Sequence, residues 1–178
     1  TIGLTAEDKP YPGLPLSHSN GQLMTLGNAL TMQLPAVISR KFSKSRLWEI
    51  LAKYNCTTLN LLGGMTTAIF AEPAGRFDRA HNVRFVLSAG MPAAMWQEFA
   101  DRFGVEIFEF YGTAEGGLLL NPPPDARIGS IGKPPPGTEC AVLDEHDNPV
   151  ADGELGQLCF RNSDGTVAPV EYYRNAGA

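Results

Sequence analysis

Tyr111 and Glu115, set among glycines in Tyr111-Gly112-Thr113-Ala114-Glu115-Gly116-Gly117, are the side chains of this sequence best suited to chemistry. An aromatic face can stack on a base. A single carboxylate can hold a hard cation such as Mg²⁺, which keeps several waters and reaches a protein through one or two carboxylates and substrate phosphates. Glycine at 112, 116 and 117 permits tight turns and close backbone approach to a ligand. The preceding Ile107-Phe108-Glu109-Phe110 reads as an apolar strand that delivers Tyr111 and Glu115 to the carboxyl end of a sheet, where open α/β folds place their ligands. The pattern is that of a nucleotide site, although an isolated Tyr-Gly pair is more often the end of a core strand before a solvated turn.

A second glycine turn lies upstream. Arg84-Phe85-Val86-Leu87-Ser88 reads as a buried strand ending in Ala89-Gly90-Met91-Pro92, and Pro92 opens a helix where its missing N–H does no harm. That helix, from Ala93 to Phe103, has Met95, Phe99, Ala100 and Phe103 at helical spacing, and Gly104 ends it. Each of the two strands thus finishes in a glycine turn. Further helices are expected from Asn20 to Gln33, stopped by Pro35, at 43–54 and at 64–71. Val37 to Ser39, Thr57 to Leu62 and Phe85 to Ser88 read as inner strands. This alternation predicts an α/β fold over 1–121, a parallel sheet flanked by helices. After Asn121 no helical period returns. Pro122-Pro123-Pro124 and Pro134-Pro135-Pro136 bracket a short strand, and Glu139 to Arg161 reads as a short antiparallel β segment with a turn at Glu145 to Asn148. The expected boundary lies near Pro122 to Arg127, with 122–178 the start of a β-rich subdomain.

Ser88-Ala89-Gly90-Met91-Pro92, Tyr111-Gly112-Thr113-Ala114-Glu115 and Gly129-Ser130-Ile131-Gly132-Lys133-Pro134 follow one another in an order that resembles the adenylate-forming, AMP-binding enzymes, and among them the acyl-CoA synthetases. Pro15-Leu16-Ser17-His18-Ser19-Asn20-Gly21 is similar to the family's apolar strand followed by an aromatic or histidine. Gly153-Glu154-Leu155-Gly156-Gln157-Leu158 is similar to its Gly-Glu-x-Gly-Glu-Leu strand. The resemblance covers residues 4 to 175.

It implies a ligase in two steps. A carboxylic acid attacks the α-phosphate of ATP, giving an acyl-adenylate and pyrophosphate, and a thiol, coenzyme A, then displaces AMP. ATP and Mg²⁺ are the implied cofactors and coenzyme A the cosubstrate. By motif position, the backbone of Ala89, Gly90 and Met91 packs against adenine and acyl group. Glu109 stands near the adenine amino group with Phe110 beside it, and Tyr111 stacks on the ring. Gly112 and Thr113 line the acyl pocket, and Glu115 coordinates Mg²⁺. His18, after the apolar run Leu14-Pro15-Leu16-Ser17, gates the acyl pocket; on its own a lone histidine reads as a satisfied core or surface residue. Ala114, in the same nucleotide turn, departs from the family's Tyr-Gly-x-Thr-Glu, whose threonine hydroxyl reaches the α-phosphate. Thr113 can replace that donor only if the turn is rotated.

The resemblance also implies a Ser/Thr/Gly-rich phosphate loop, a Thr-Gly-Asp segment and a C-terminal domain bearing an adenylation lysine, which this sequence does not show. The expectation is an internal piece of a larger enzyme, inactive alone. Two alternatives stand beside the CoA ligase of a fatty or other organic acid: a noncatalytic acyl- or nucleotide-binding module, and an adenylation domain that loads a carrier-protein thiol. A net charge of -5 and a pI near 5.2 over 178 residues argue against nucleic acid. The basic run Arg40, Lys41, Lys44 and Arg46 reads first as a solvated face, and second as a contact for anionic coenzyme A or a peripheral membrane surface. Uncovered apolar faces would favour a homodimer. No apolar run approaches the about 20 residues of a membrane span, and the first residues lack the pattern of a signal peptide. Cys56, Cys140 and Cys159 are expected as buried small hydrophobes without a disulfide framework, hence a cytoplasmic protein. His81 and His146 are given no role.

Overall fold

The computed structural model describes residues 2–166 and 172–175. Strands β1 (Pro10–Tyr11), β2 (Thr58–Leu62), β3 (Phe85–Ala89) and β4 (Glu106–Thr113) pair in parallel, side by side in chain order, and β5 (Gly116–Asn121) completes the sheet antiparallel to β4. β6 (Thr138–Leu143) and β7 (Gln157–Asn162) form a separate antiparallel pair. Between the strands lie α1 (Asn28–Met32), α2 (Leu47–Lys53), α3 (Gly63–Phe70) and α4 (Trp96–Phe103), with a π-helix at Asn20–Gly27 leading into α1.

The inner strands are buried on both faces, which is why they read as continuous apolar runs. On one face Trp48 and Leu51 of α2, Ile69 of α3 and Phe99 of α4 meet Leu59, Leu61, Val86 and Ile107. On the other, Ile2, Leu4, Ala29 and Leu34 cover Phe85, Leu87, Phe108 and Phe110. The expected α4 is present, with Trp96, Phe99 and Phe103 buried and Gly104 in the left-handed conformation at its end. The α/β fold followed by antiparallel β is the architecture observed. The residues 167–171 and 176–178 of the expected β-rich part lie outside the described residues.

Four expectations of secondary structure change, and so does the expectation that all three cysteines are buried. Leu14 to Ser17 form a turn instead of a strand, because the chain leaves β1 at Tyr11 and reverses at Gly13. Val37 to Ser39 make no ladder; β1 offers a two-residue edge, and Val37 N–H donates to Pro10 O at 3.1 Å. The first helix stops at Met32, where Gln33 turns left-handed, before Pro35 is reached. Between the two proline triplets there is no strand but a single bridge from Leu120 to Lys133. Asn121, buried at the end of β5, shapes that loop: its Nδ2 donates to Arg127 O at 2.8 Å and Ser130 O at 2.9 Å, and its Oδ1 accepts from Arg127 N–H at 2.8 Å. Of the cysteines, Cys140 is exposed, Cys159 is half-buried, and burial pushes the Cys56 thiol up to about 11.

The edge of the sheet opposite the glycine turns is closed by Asp8. Its buried carboxylate accepts from Arg84 Nε at 3.0 Å and Nη2 at 2.5 Å, from Thr57 Oγ1 at 2.7 Å and from Thr5 N–H at 2.7 Å. Burial works against the charge, yet Arg84, Thr57 and Thr5 together hold the carboxyl well below the usual carboxylate range. A depressed folded value means that the contribution is complete above the unfolded value of about 3.9 and is lost as pH falls below it. Asp8→Asn should therefore lower stability by about 1–3 kcal/mol at pH 7, since Arg84 is partly exposed and screened. In urea titrations the gap between the two proteins should shrink below about pH 4; a gap of equal size at pH 3 and pH 7 would rule the ionised pair out.

Candidate functional site

The glycine turns meet at the carboxyl ends of the parallel strands. Gly63, the first residue after β2, packs so closely on the Gly90 carbonyl that a Cβ there would clash. The Ala89-Gly90-Met91 turn, with Gly90 at φ 91°, is thereby held backbone to backbone against the start of α3. Glu109 holds it from the other side. Its side chain is 4% exposed; Gly90 N–H donates to Oε1 at 2.5 Å, and Met91 N–H to Oε2 at 3.1 Å. Burial raises the Glu109 carboxyl above its ordinary value, while the N–H groups of Gly90 and Met91 pull it back. Both oxygens are thus engaged by the turn.

Alternation along β4 puts Glu109 and Tyr111 on one face and Phe110 on the other. Phe110 accordingly packs with Phe85, Leu87 and Phe108 in the core. Tyr111 is half-buried, and from Gly112 to Gly116 the chain is exposed. The run is a β-hairpin: β4 bulges between Gly112 and Thr113, turns through Ala114 and Glu115, and returns as β5. The Thr113 hydroxyl donates to the Gly116 carbonyl inside this turn. Glu115 is exposed and accepts from the Tyr172 hydroxyl at 2.8 Å. That hydrogen bond holds the Glu115 carboxyl below its ordinary range and pushes the Tyr172 phenol up.

Gly117 approaches the Phe160 ring of β7, where a Cβ would stand 2.5 Å from the ring edge. Between the hairpin and the β6–β7 pair opens a cleft of about 580 Å³, lined by Tyr111, Thr113, Glu115, Gly117, Thr138 and Phe160 among others. His18 belongs to a different segment, the turn after β1. It is exposed, its Nδ1 accepts from Asn20 N–H at 3.1 Å, and its own N–H donates to Pro15 O at 3.0 Å. The structure therefore joins Ala89, Gly90, Met91, Glu109 and Tyr111 in one assembly with Gly112, Thr113, Ala114 and Glu115 on its hairpin, and leaves His18 on a neighbouring loop.

A magnesium ion suits this arrangement in one respect. Among the described residues no three His, Cys, Asp or Glu side chains cluster as a metal cage, and a lone ionised carboxylate such as Glu115 serves a cation carried mainly by phosphates. Sequence pattern alone does not show β5, Asn121, the Gly63 contact or Phe160. Gly116-Gly117 before Leu118-Leu119-Leu120 was the available signal for the hairpin; a contact such as Phe160 with Gly117 leaves no local trace.

A family model described as AMP-binding enzyme matches residues 2–169. Long-chain fatty acid transport protein 1 of Homo sapiens is 38% identical over 130 residues, covering 72% of this chain and 20% of its own length. Sulfoacetate--CoA ligase of Cupriavidus necator is 32% identical over 173 residues, 94% of this chain and 33% of its own. The chain thus spans a fifth to a third of the length of these relatives. Among solved structures, the anthranilate CoA ligase AuaEII in complex with anthranoyl-AMP superposes with a TM-score of 0.84 at 22% identity, over 98% of this chain and 35% of that one. O-succinylbenzoate coenzyme A synthetase of Bacillus subtilis, in complex with ATP and magnesium ion, superposes with a TM-score of 0.75 at 21% identity, over 94% and 35%.

The hydrogen bonds of Glu109 make a prediction that needs no assay of activity. Glu109→Gln sets an amide donor against the N–H groups of Gly90 and Met91, and should cost about 1–3 kcal/mol of stability with faster hydrogen exchange at those two amides. Unchanged denaturant midpoint and unchanged exchange would show that the carboxylate does not hold the turn.

Proposed function

The chain belongs to the AMP-binding enzyme family, and from that membership we propose that it forms the nucleotide- and acid-binding part of an ATP-dependent carboxylic acid:CoA ligase. The observation that carries this reading is the placement of Tyr111 and Glu115 on a hairpin beside the Ala89–Met91 turn, which Glu109 locks at the carboxyl edge of the sheet. Residues 1–121 would supply this floor and 122–178 the start of a β-rich subdomain. In the same reading the protein is cytoplasmic and takes a carboxylic acid, ATP and coenzyme A. The names of the relatives, a long-chain fatty acid transport protein and a sulfoacetate--CoA ligase, leave the class as fatty or other organic acids. Among the described residues no helix is long and apolar enough to cross a membrane.

In the reaction so assigned, a carboxylate oxygen of the acid bonds to the α-phosphorus of ATP, and the bond from that phosphorus to the pyrophosphate oxygen breaks. The thiolate of coenzyme A then bonds to the acyl carbon, and AMP departs with the electron pair of the broken C–O bond. Tyr111 offers its half-buried ring to the adenine, and the Ala89–Met91 backbone offers a fixed wall. Glu115 would hold Mg²⁺, which neutralises phosphate charge when bound. His18 stands at the acyl side. Ala114 provides no hydroxyl, and the Thr113 hydroxyl is already given to Gly116 O. Its use on a phosphate would require that bond to open.

The test is acid-dependent exchange of labelled pyrophosphate into ATP by the full-length protein. Glu115→Gln should lower exchange about 100- to 1,000-fold, and Tyr111→Ala should raise KM for ATP more than KM for the acid. Thr113→Val should leave the rate within about threefold if its hydroxyl serves only the turn, because no interaction made in the transition state is then removed. Absence of any acid-dependent exchange in a folded, ATP-binding protein would remove the ligase reading and leave a nucleotide-binding module.

A further inference from the structure

The segment that carries His18 is fastened to the sheet at a single residue. Asn60, in the middle of β2, is fully buried, and its Nδ2 donates to Asn20 Oδ1 at 2.7 Å and to Thr25 Oγ1 at 2.9 Å. The Asn60 carbonyl lies against Gly13, at φ 61°, so closely that no Cβ fits there. Both ends of the stretch 13–25 thus rest on one position of the strand.

Asn20 and Thr25 are five residues apart, and that spacing is informative. In an α-helix of 3.6 residues per turn, positions five apart point about 140° away from each other, so one amide could not bridge them. The i→i+5 turn of a π-helix stacks them on one side, and Asn20–Gly27 is π-helical. The amide of Asn60 therefore matches the π register and not the α register. Stability alone explains the arrangement poorly. Asn20 Nδ2 and Asn60 Oδ1 are buried without a protein partner, whereas an apolar residue on this strand would bury no polar atom. The neighbour of this cluster is His18, whose Nδ1 accepts from Asn20 N–H at 3.1 Å and whose carbonyl accepts from Gln22 N–H at 3.0 Å.

We propose that Asn60 is a positioning residue for the acyl side of the site: by bridging Asn20 and Thr25 it fixes the π register of Asn20–Gly27, and through Asn20 it sets the placement of His18. The functional half of this statement rests on the reading of His18 as part of the acyl pocket. A change to the α register shifts the face of the helix by one residue, about 100°, and carries the Asn20 backbone and the His18 turn with it. The consequence is a change in which acids are accepted, with the nucleotide side, built on Glu109 and Tyr111, left as it is.

The experiment uses Thr25→Val, which removes the hydroxyl and keeps the shape, and Thr25→Ser, which keeps the hydroxyl, in the full-length protein. Asn60→Leu is the stronger variant where it folds. Hydrogen exchange over Gln22–Gly27 reads the register, and kcat/KM for a long and a short acid, with KM for ATP, reads the site. Thr25→Val should speed exchange about tenfold and change the long-to-short ratio at least about threefold. KM for ATP should stay within about twofold, because Tyr111 and Glu109 are untouched, and Thr25→Ser should match the parent. Parental exchange in Thr25→Val, equal behaviour of Val and Ser, or a parallel rise of acid and ATP KM overturns the proposal. If exchange responds and the acid ratio does not, His18→Ala separates the failures. A ratio that also ignores His18→Ala refutes the acyl role of His18 and leaves the anchor standing; a ratio that responds to His18→Ala refutes the positioning role of Asn60.

Discussion

A buried carboxylate that accepts from two consecutive backbone N–H groups is the interaction on which the ligand edge of this fold depends. Glu109 reaches from β4 across to the end of β3 and fixes Gly90 and Met91 from the side, while Gly63 presses on the Gly90 carbonyl from β2. Three strands are thereby locked at one turn. A turn so placed cannot satisfy its N–H groups in a ladder, because β3 has ended, and that of buried Met91 would otherwise be stranded. The carboxylate solves that problem and creates another, its own desolvation, which the fixed N–H dipoles offset.

The opposite edge of the sheet uses a second buried carboxylate under different electrostatics. Asp8 faces a full positive charge on Arg84 and several hydrogen-bond donors, and its carboxyl is pulled down. Glu109 faces neutral donors, so burial wins and its carboxyl is pushed up. Both are 4% exposed or less, and in each the partners' donors stand against the cost of burial. Asp8 stays ionised to low pH, but what it contributes to stability is lost as pH falls below the unfolded value of about 3.9. At the Glu109 edge the raised carboxyl takes up a proton more readily folded than unfolded, so acidification relieves the burial of its charge even as the protonated carboxyl gives up part of its capacity to accept from the turn.

Legibility followed the range of the contacts. β2, β3, β4 and α4 were readable because burial on both faces, or on one helical stripe, is written in each segment's own pattern. The two glycine turns were readable for the same reason, and their order in the sequence pointed to the family. What could not be read depends on distant partners. Leu14 to Ser17 look like a strand until Gly13 is seen to fold over Asn60. Asn20 to Gly27 look like an ordinary helix until Asn60 reaches Asn20 and Thr25 together. Tyr172 meets Glu115 from 57 residues away. Glu109 looked like a ligand for a nucleotide amino group, and the structure engages both its oxygens within the protein.

These cases divide the site into two kinds of residue. The side chains suited to chemistry, Tyr111, Glu115 and His18, are half-buried or exposed and sit on a hairpin or a turn, where a single hydrogen bond contributes little against solvent competition. The residues that place them, Glu109 and Asn60, are buried in the middle of strands, where each polar contact is stronger and each unpaired atom more costly. Surface groups alone would wander by more than a reaction tolerates. Buried polar groups alone would bind nothing. Rigid strands carrying buried carboxylate and amide anchors, with the reactive side chains one turn further out, give a site whose floor is set by folding and whose edge remains free to meet a ligand.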